Sequence, residues 1–377
     1  MNITLGEVGT YINGYAFKPS DWGTSGLPII RIQNLTNQNT VPNYFDGPYN
    51  SKFEVNKGDI LIAWSGSLGI HIWQKNKALL NQHIFRVEFN KCDIDKMYFY
   101  YAVKYNIHKM LHLTHGATMR HIIKSDFEQI IIPYPRLEIQ VKISKVLNYL
   151  DQNIINYKNI LIKLELLIKS RFVELFGDIE LNEKKWKKIR FGELINSANN
   201  GLSRRGNDQD GNIVLRLIEL QENFINYSGP NRILLTDDEK KRYRLLAGDL
   251  LFARVNGNPQ NVGRCATFCE CEEQVYHNDH IIRTSCDKSQ LDSVFAAYLF
   301  NSEYGKNRIS KKIKTSAGQY TINQEGLKSI DIILPPIGIQ YSFAELVKQI
   351  NKLKSDVQKS IDETQLLMDS LMQEYFC

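Results

Sequence analysis

The sequence lacks the features that announce an enzyme or a membrane protein. It has no G-x-x-x-x-G-K-[ST] loop, which excludes a P-loop NTPase, and no G-x-G-x-x-G behind a strand, which excludes the common dinucleotide fold. H-E-x-x-H and G-x-S-x-G are both missing. So is the Asn- or Asp-Pro-Pro-aromatic tetrapeptide that amino-methyltransferases use; Pro335-Pro336 follows Leu334. Scattered Asp and Glu make no paired-carboxylate motif. No apolar run approaches the ~20 residues that span a bilayer, so no membrane contact is expected. The opening stretch, MNITLGEVGTYINGYAFK, has no charged-then-apolar leader pattern. Six cysteines in 377 residues make no disulfide framework, and the expected home is a reducing cytoplasm. Cys265, Cys269, Cys271, His277, His280 and Cys286 are the one metal-like cluster. Their spacing, C-x3-C-x-C-x5-H-x2-H, is not a zinc pattern, so buried thiols and a structural histidine are expected and no metal. The simplest inference is a protein that binds and positions.

What is present is an ordinary globular balance, 43% hydrophobic and 23% charged, in a chain long enough for two or three domains. It is also duplicated. Leu5-Gly6-Glu7-Val8 returns as Phe191-Gly192-Glu193-Leu194, and Asn13-Gly14 as Asn200-Gly201. Ile29-Ile30-Arg31-Ile32 returns as Val214-Leu215-Arg216-Leu217, and Gly58-Asp59-Ile60-Leu61-Ile62-Ala63 as Gly248-Asp249-Leu250-Leu251-Phe252-Ala253. Asn81-Gln82-His83-Ile84 returns as Asn278-Asp279-His280-Ile281. The offset is 186 at Leu5 and 197 at Asn81, so the copies differ in loop length. Beyond that it is constant at 200: Ile122 matches Ile322, Pro135 Pro335, Ile139-Gln140 Ile339-Gln340, Leu166-Leu167 Leu366-Leu367, Ser170 Ser370 and Phe176 Phe376. Recurring turn chemistry alone does not hold an offset constant over that stretch.

Each copy has a β-rich head and a long helix. The fold class expected is α+β: heads at 1–135 and 181–335, helices at 136–180 and 336–377. Within the heads, runs such as 27–32, 60–64 and 84–89 read as strands between Gly, Asn and Pro turns, and 97–113 and 291–306 read as helices. The long helices, 137–176 and 338–376, start after a proline and would extend ~58 Å at 1.5 Å per residue. Ile143, Leu147, Leu150, Ile154, Tyr157, Leu161, Leu164 and Ile168 step by 4 and 3 in alternation, which is coiled-coil spacing. The matching positions are Phe343, Val347, Ile350, Lys354, Val357, Ile361, Thr364 and Met368, with Lys354 and Thr364 interrupting the seam. The two helices are expected to pair with each other, antiparallel if the pseudo-two-fold axis of the duplication crosses them. The heads would then sit at opposite ends of a spacer.

Positive charge sits on the heads. Residues 1–135 carry 13 basic and 10 acidic side chains and residues 181–335 carry 23 and 19, within a net +6. Loops at 13–22, 64–77, 112–121, 199–210, 254–264 and 306–320 combine basic and amide side chains with glycine. Arg and Lys suit guanine, Asn and Gln suit adenine, and glycine admits close backbone approach to phosphate. The candidate DNA contacts are Lys18, Ser65, Lys75, His115 and Arg120 in the first head. In the second they are Arg204, Arg205, Arg254, Asn256, Asn258, Lys312, Lys314 and Tyr320. Arg31 and Arg216 repeat within apolar strands and read as structural or phosphate-facing.

These residues resemble the specificity subunit of type I restriction–modification systems. Gly14-Tyr15-Ala16-Phe17-Lys18 with Leu27-Pro28-Ile29-Ile30-Arg31-Ile32-Gln33-Asn34-Leu35 looks like the opening of its target-recognition domain. Gly58-Asp59-Ile60-Leu61 with Ser65-Gly66-Ser67-Leu68-Gly69 looks like its central strand and loop. Ile132-Pro133-Tyr134-Pro135-Arg136-Leu137-Glu138-Ile139-Gln140 and Leu334-Pro335-Pro336-Ile337-Gly338-Ile339-Gln340 look like the starts of its two helices, with Tyr134 in place of the usual second proline. Ser170-Arg171-Phe172-Val173-Glu174-Leu175-Phe176-Gly177-Asp178 looks like the first helix end. The resemblance covers essentially the whole chain, twice. It implies two target-recognition domains, each reading one half of a bipartite asymmetric double-stranded DNA site. It also implies that two modification subunits bring S-adenosylmethionine and adenine methylation, and that restriction subunits bring ATP- and Mg-dependent translocation and cleavage, with no cofactor on this chain. The heads are the family's variable regions, so no base contact transfers by residue. A standalone modification system without a nuclease, a nuclease or methyltransferase in its own right, and a coiled-coil architectural protein that ignores sequence are the alternatives.

Overall fold

The computed structural model describes residues 1–37, 39–112, 122–316 and 318–377. The chain forms two compact units: Met1–Asn159 with Val357–Cys377, and Ile160–Asp356.

In chain order the first unit holds β1 (Asn2–Thr4), α1 (Leu5–Val8), β2 (Thr10–Asn13), β3 (Leu27–Ile30), α2 (Ile32–Thr36), β4 (Asn43–Phe45), β5 (Glu54–Val55), β6 (Ile60–Ala63), β7 (Gly69–Ile72), β8 (Ala78–Leu80), β9 (Ile84–Glu88), α3 (Lys96–His112), α4 (Lys124–Glu128), β10 (Ile131–Pro133) and the start of α5 (Leu137–Phe176). One sheet has the order β2-β9-β6-β7 and a second β4-β3-β8-β5, in which β3 and β8 are parallel; β1 pairs with β10. The centre is β6, whose Ile60-Leu61-Ile62-Ala63 is buried at every position, as a continuous apolar run demands.

The second unit repeats this frame. It runs β11 (Lys187–Arg190), β12 (Ile195–Asn200), β13 (Asn212–Leu215), β14 (Arg232–Ile233), α6 (Asp237–Tyr243), β15 (Leu250–Ala253), β16 (Val255–Asn256), β17 (Cys265–Thr267), β18 (Val275–His277), β19 (Ile281–Cys286), α7 (Ser293–Asn301), α8 (Glu303–Ser310), β20 (Lys314–Ser316), β21 (Gln319–Thr321), α9 (Gln324–Lys328), β22 (Asp331–Leu334) and α10 (Ile337–Phe376). The sheet β12-β19-β15-β17 matches β2-β9-β6-β7, β14-β13-β18 matches β4-β3-β8, and β11-β22 matches β1-β10.

The repeated motifs are the joints of this frame. At Gly14 an added Cβ would lie 2.0 Å from the Asn81 carbonyl oxygen, and at Gly201 2.1 Å from that of His277. Only glycine fits where these loops cross the sheet. Gly58 and Gly248 have φ of +92° and +90°, and the aspartates behind them accept from Asn56 N–H (2.8 Å) and Leu246 N–H (2.7 Å), closing the same turn. Gln140 and Gln340 are fully buried. Gln140 accepts from Asp95 N–H at 3.0 Å and donates to Pro135 O at 2.8 Å. Gln340 accepts from Asp292 N–H at 2.9 Å and donates to Pro335 O (2.7 Å) and Gln290 O (3.0 Å). Each glutamine ties the first turn of a long helix to the N-cap of its head's helix.

One expected helix, 291–306, is instead two. Ser302 is extended (φ −68°, ψ 163°) and its hydroxyl accepts from Gly305 N–H, so it ends α7 and caps α8. A Cβ at Gly305 would lie 2.4 Å from Leu299 O, so the glycine permits the tight corner.

On the long helices the heptad positions are the covered ones. Ile143, Leu147, Leu150, Ile154, Ile168, Phe343, Val347, Ile350, Ile361 and Met368 are buried; Tyr157, Leu161, Leu164, Lys354, Val357 and Thr364 are half-buried. In the second unit the Phe172 ring lies 5.3 Å from Phe343, and Lys354 pairs with Glu165. Moving forward along α10 is moving back along α5, so these segments are antiparallel. Lys354, one of the interruptions, thus spends its charge on the facing helix, an arrangement that disfavours shifted registers. Phe176 closes the end of α5 against Phe295 of α7 at 4.6 Å. In the first unit its duplicate Phe376 closes α10 against Tyr98 of α3 at 5.2 Å.

Candidate nucleic-acid interface

In the second head, β15 runs out of the buried sheet at Ala253 and delivers Arg254 to the surface. The Arg254 backbone is pinned on both sides: its N–H donates to His280 O (2.8 Å) and its carbonyl accepts from Ile322 N–H (2.9 Å). The side chain is half-buried, and its Nε has no hydrogen-bond partner. Just beyond, β16 joins a small sheet of order β16-β21-β20. Its register sets Asn256 opposite Tyr320, and Thr321 opposite both Val255 and Lys314. The structure therefore brings Arg254, Asn256, Lys314 and Tyr320 together from two distant stretches of sequence. Asn256 Oδ1 accepts from Asn258 N–H (2.9 Å), and Asn258 Oδ1 from Gln260 N–H (3.0 Å). Both amide oxygens are thereby used in turns, which leaves the NH2 groups as donors. Lys312 and Lys314 are exposed and make no ion pair among the described residues.

Arg205 joins the same cluster. It pairs with Asp279 (2.8 Å) and lies 3.1 Å from His280 Nε2, and Asp279-His280 is the turn that holds Arg254. Burial, and then the Arg205 and Arg254 charges, lower the His280 pKa against the opposing pull of Asp279. Arg204 is differently employed. It takes both oxygens of Glu239 at 2.8 Å and bonds Leu234 O, holding Glu239 near pKa 2 and anchoring α6. Arg204 is thus a brace for the loop. With Arg205, Arg216, Asn231 and Asn278 it lines a cavity of about 230 Å³.

In the first head Lys18 is exposed, with no ion pair among the described residues, and its backbone N–H caps on Asp21 (2.7 Å). Lys75 is exposed. Ser65 is 2% exposed, so its hydroxyl is withdrawn from the surface, contrary to its selection as a contact: it belongs to the loop's packing. His115 and Arg120 lie outside the described residues. Sequence reasoning passed over Trp64, which holds the same place as Arg254: its N–H donates to His83 O (3.1 Å) and its carbonyl accepts from Ile122 N–H (3.0 Å). The signal was in the repeat, since Ala63 matches Ala253. The Trp64 ring packs on His83 and Phe85 at 4.9 and 5.6 Å, with Nε1 donating to Asn13 Oδ1. Also overlooked was an aromatic hollow of about 410 Å³ lined by Tyr15, Phe17, Phe45, Tyr49 and Phe53.

Elsewhere the cysteine–histidine cluster is dispersed. His277 is fully buried, its Nδ1 3.1 Å from Tyr243 O, and burial lowers its pKa to about 4. Cys265 and Cys286 are buried thiols whose pKa burial raises. Among the described residues no group of three or more His, Cys, Asp or Glu is placed to hold a metal, and no helix is long and apolar enough to cross a membrane.

One frame is thus used twice, with an arginine in the second copy where the first has a tryptophan. Residues 1–166 and 183–364 match the family model of the type I restriction modification DNA specificity domain, and the chain belongs to that family. It is similar to the specificity subunits of the type I restriction enzymes StySPI of Salmonella potsdam (27% identical over 278 residues) and EcoKI of Escherichia coli strain K12 (25% over 279). Each of these matches covers 70% of this chain and 60% of the relative's own length. The EcoBI specificity subunit of Escherichia coli is 22% identical, with 99% of this chain and 84% of the relative covered. In fold the chain is similar to the S subunit of a type I restriction-modification system from M. genitalium, with a TM-score of 0.65 at 15% identity over 100% of this chain and 96% of that one.

Proposed function

We propose that this chain is the sequence-reading subunit of a type I restriction–modification complex, non-catalytic by itself. Each head reads one half of a bipartite, asymmetric double-stranded DNA site, and the paired helices set the gap of unread base pairs. Two modification subunits dock on it and supply S-adenosylmethionine and adenine methylation. Restriction subunits supply ATP- and Mg-dependent translocation and cleavage. The place of action is the cytoplasm.

The observation that carries this reading is the exchange of surface chemistry on a constant frame. Trp64 and Arg254 leave equivalent strands through equivalent backbone bonds, and Lys18 is matched by Arg205. Identical heads would read a palindrome; unlike heads read unlike halves. An arginine beside amide donors suits a major-groove edge, whereas an indole offers apolar contact and stacking. In the second head the proposed contacts are Arg205, Arg254, Asn256, Asn258, Lys312, Lys314 and Tyr320; in the first they are Lys18, Lys75 and Trp64. The test is selection from a randomised duplex pool by the chain bound to its modification subunits. The expected product is one gapped, non-palindromic motif. A palindrome, or no motif, overturns the reading.

A further inference from the structure

Strands β3 and β13 are duplicates, and each leads into an arginine, Arg31 or Arg216. The two guanidiniums meet opposite surroundings. In the second head Glu219, 3% exposed, accepts from Arg216 N–H at 2.6 Å and takes the guanidinium through Nε (3.1 Å) and Nη2 (2.5 Å). Arg216 is thereby neutralised. In the first head the same position is Asn34. Its Oδ1 keeps the backbone cap, accepting from Arg31 N–H at 3.0 Å, and its Nδ2 is used on Thr40 O at 3.2 Å. The cap is retained and the charge is gone. The Arg31 guanidinium instead lies over the Trp22 ring, 4.6 Å from its centre, and reaches Asn43 Oδ1 at 3.4 Å. It makes no ion pair among the described residues.

A half-buried guanidinium without a carboxylate, set over an indole ring, is an anion receptor. Its guanidinium is engaged over Trp22 and at Asn43, beside the surface, where a backbone phosphate comes to the protein and a base edge in a groove ~8.5 Å deep does not. We propose that Arg31, stacked on Trp22, clamps a DNA backbone phosphate at the first head, whereas its duplicate Arg216 is structural. The proposal rests on the DNA-recognition reading above.

The test is binding of the full chain, in complex with its modification subunits, to a fluorescent mixed-sequence duplex between 50 and 200 mM salt, with the unfolding midpoint of each variant chain as a folding control. Arg31→Gln is expected to reduce the slope of log affinity against log salt by about 0.9, so the affinity lost across that fourfold salt range shrinks by about 3.5-fold. Arg31→Lys keeps the slope. Asn34→Glu, which restores the carboxylate that Arg216 has, reduces the slope as Arg31→Gln does with the arginine still present. Arg216→Gln leaves the slope unchanged and lowers the unfolding midpoint, because Glu219 is left buried with the residue-216 backbone N–H but without its guanidinium. The proposal is overturned if wild type binds but Arg31→Gln or Asn34→Glu leaves its slope intact, or if Arg216→Gln lowers the slope equally. A wild-type complex that binds no duplex contradicts the DNA-recognition reading itself, and the proposal falls with it.

Discussion

Replacing Gln340 by leucine removes three hydrogen bonds from the interior of the second unit at nearly constant volume. Asp292 N–H, Pro335 O and Gln290 O, at 2.9, 2.7 and 3.0 Å from the amide, lose their partner. Gln340 is 0% exposed, so water does not replace it. At ~1–3 kcal/mol for each orphaned buried group, less the gain from burying a leucine, the net cost is about 3–5 kcal/mol. Asp292 also caps α7 through Phe295 N–H at 2.9 Å, so the loosened segment is the start of that helix. Gln140→Leu removes two bonds in the first unit and is expected to cost about 2–3 kcal/mol. Denaturant unfolding of the full chain gives the magnitude, and hydrogen exchange gives the place: amides 292–301 lose protection in one variant, and 95–107 in the other. Gln349, exposed on the same helix, is the control. A Gln340→Leu protein within about 1 kcal/mol of wild type, or no worse than Gln349→Leu, would refute the reasoning.

Other outcomes follow from the same geometry. His277 is neutral in the fold, with a pKa near 4 against about 6.5 unfolded, so the unfolded chain binds a proton first as pH falls. The His277 contribution should be flat above pH 6.5 and be lost between about 6.5 and 4, by up to about 3 kcal/mol, so a His277→Gln protein should show a shallower slope there; an equal slope in both proteins contradicts it. Arg254→Ala or Asn256→Ala should relax one half-site by about 1–3 kcal/mol per base pair, and Trp64→Ala the other, read by binding to half-site mutants. Equal loss at both halves counts against the two-head account. Deleting one turn from each long helix should change the gap in the selected motif and leave both halves intact; an unchanged gap shows that the helices are not the ruler.

The frame was legible because its joints are spelled in sequence. Asn-Gly, Gly-Asp and Ile-Gln recur where a close crossing, a positive φ and a buried amide demand them, and the heptad steps name the covered helix positions. The break at Ser302 was not, because one serine between two helix-forming stretches does not by itself announce a cap. The surroundings of the candidate contacts were not legible in sequence. Arg204 and Arg254 look alike in sequence, yet one is committed to Glu239, 35 positions away, and the other has an unpartnered Nε. Ser65 sits in a glycine-rich loop that reads as exposed and is buried by packing no local pattern encodes. Trp64 was overlooked because a tryptophan at a strand end reads as core, although the repeat aligns it with Arg254 and the backbone bonds are duplicated there.

The most direct test of the two-head account is genome-wide adenine methylation by single-molecule sequencing in the host, with and without this gene. The account predicts that one bipartite, gapped, non-palindromic motif loses its methylation when the gene is absent and regains it on complementation. Loss of a palindromic motif, or a methylation pattern that does not depend on the gene while its modification partners are expressed, would contradict it.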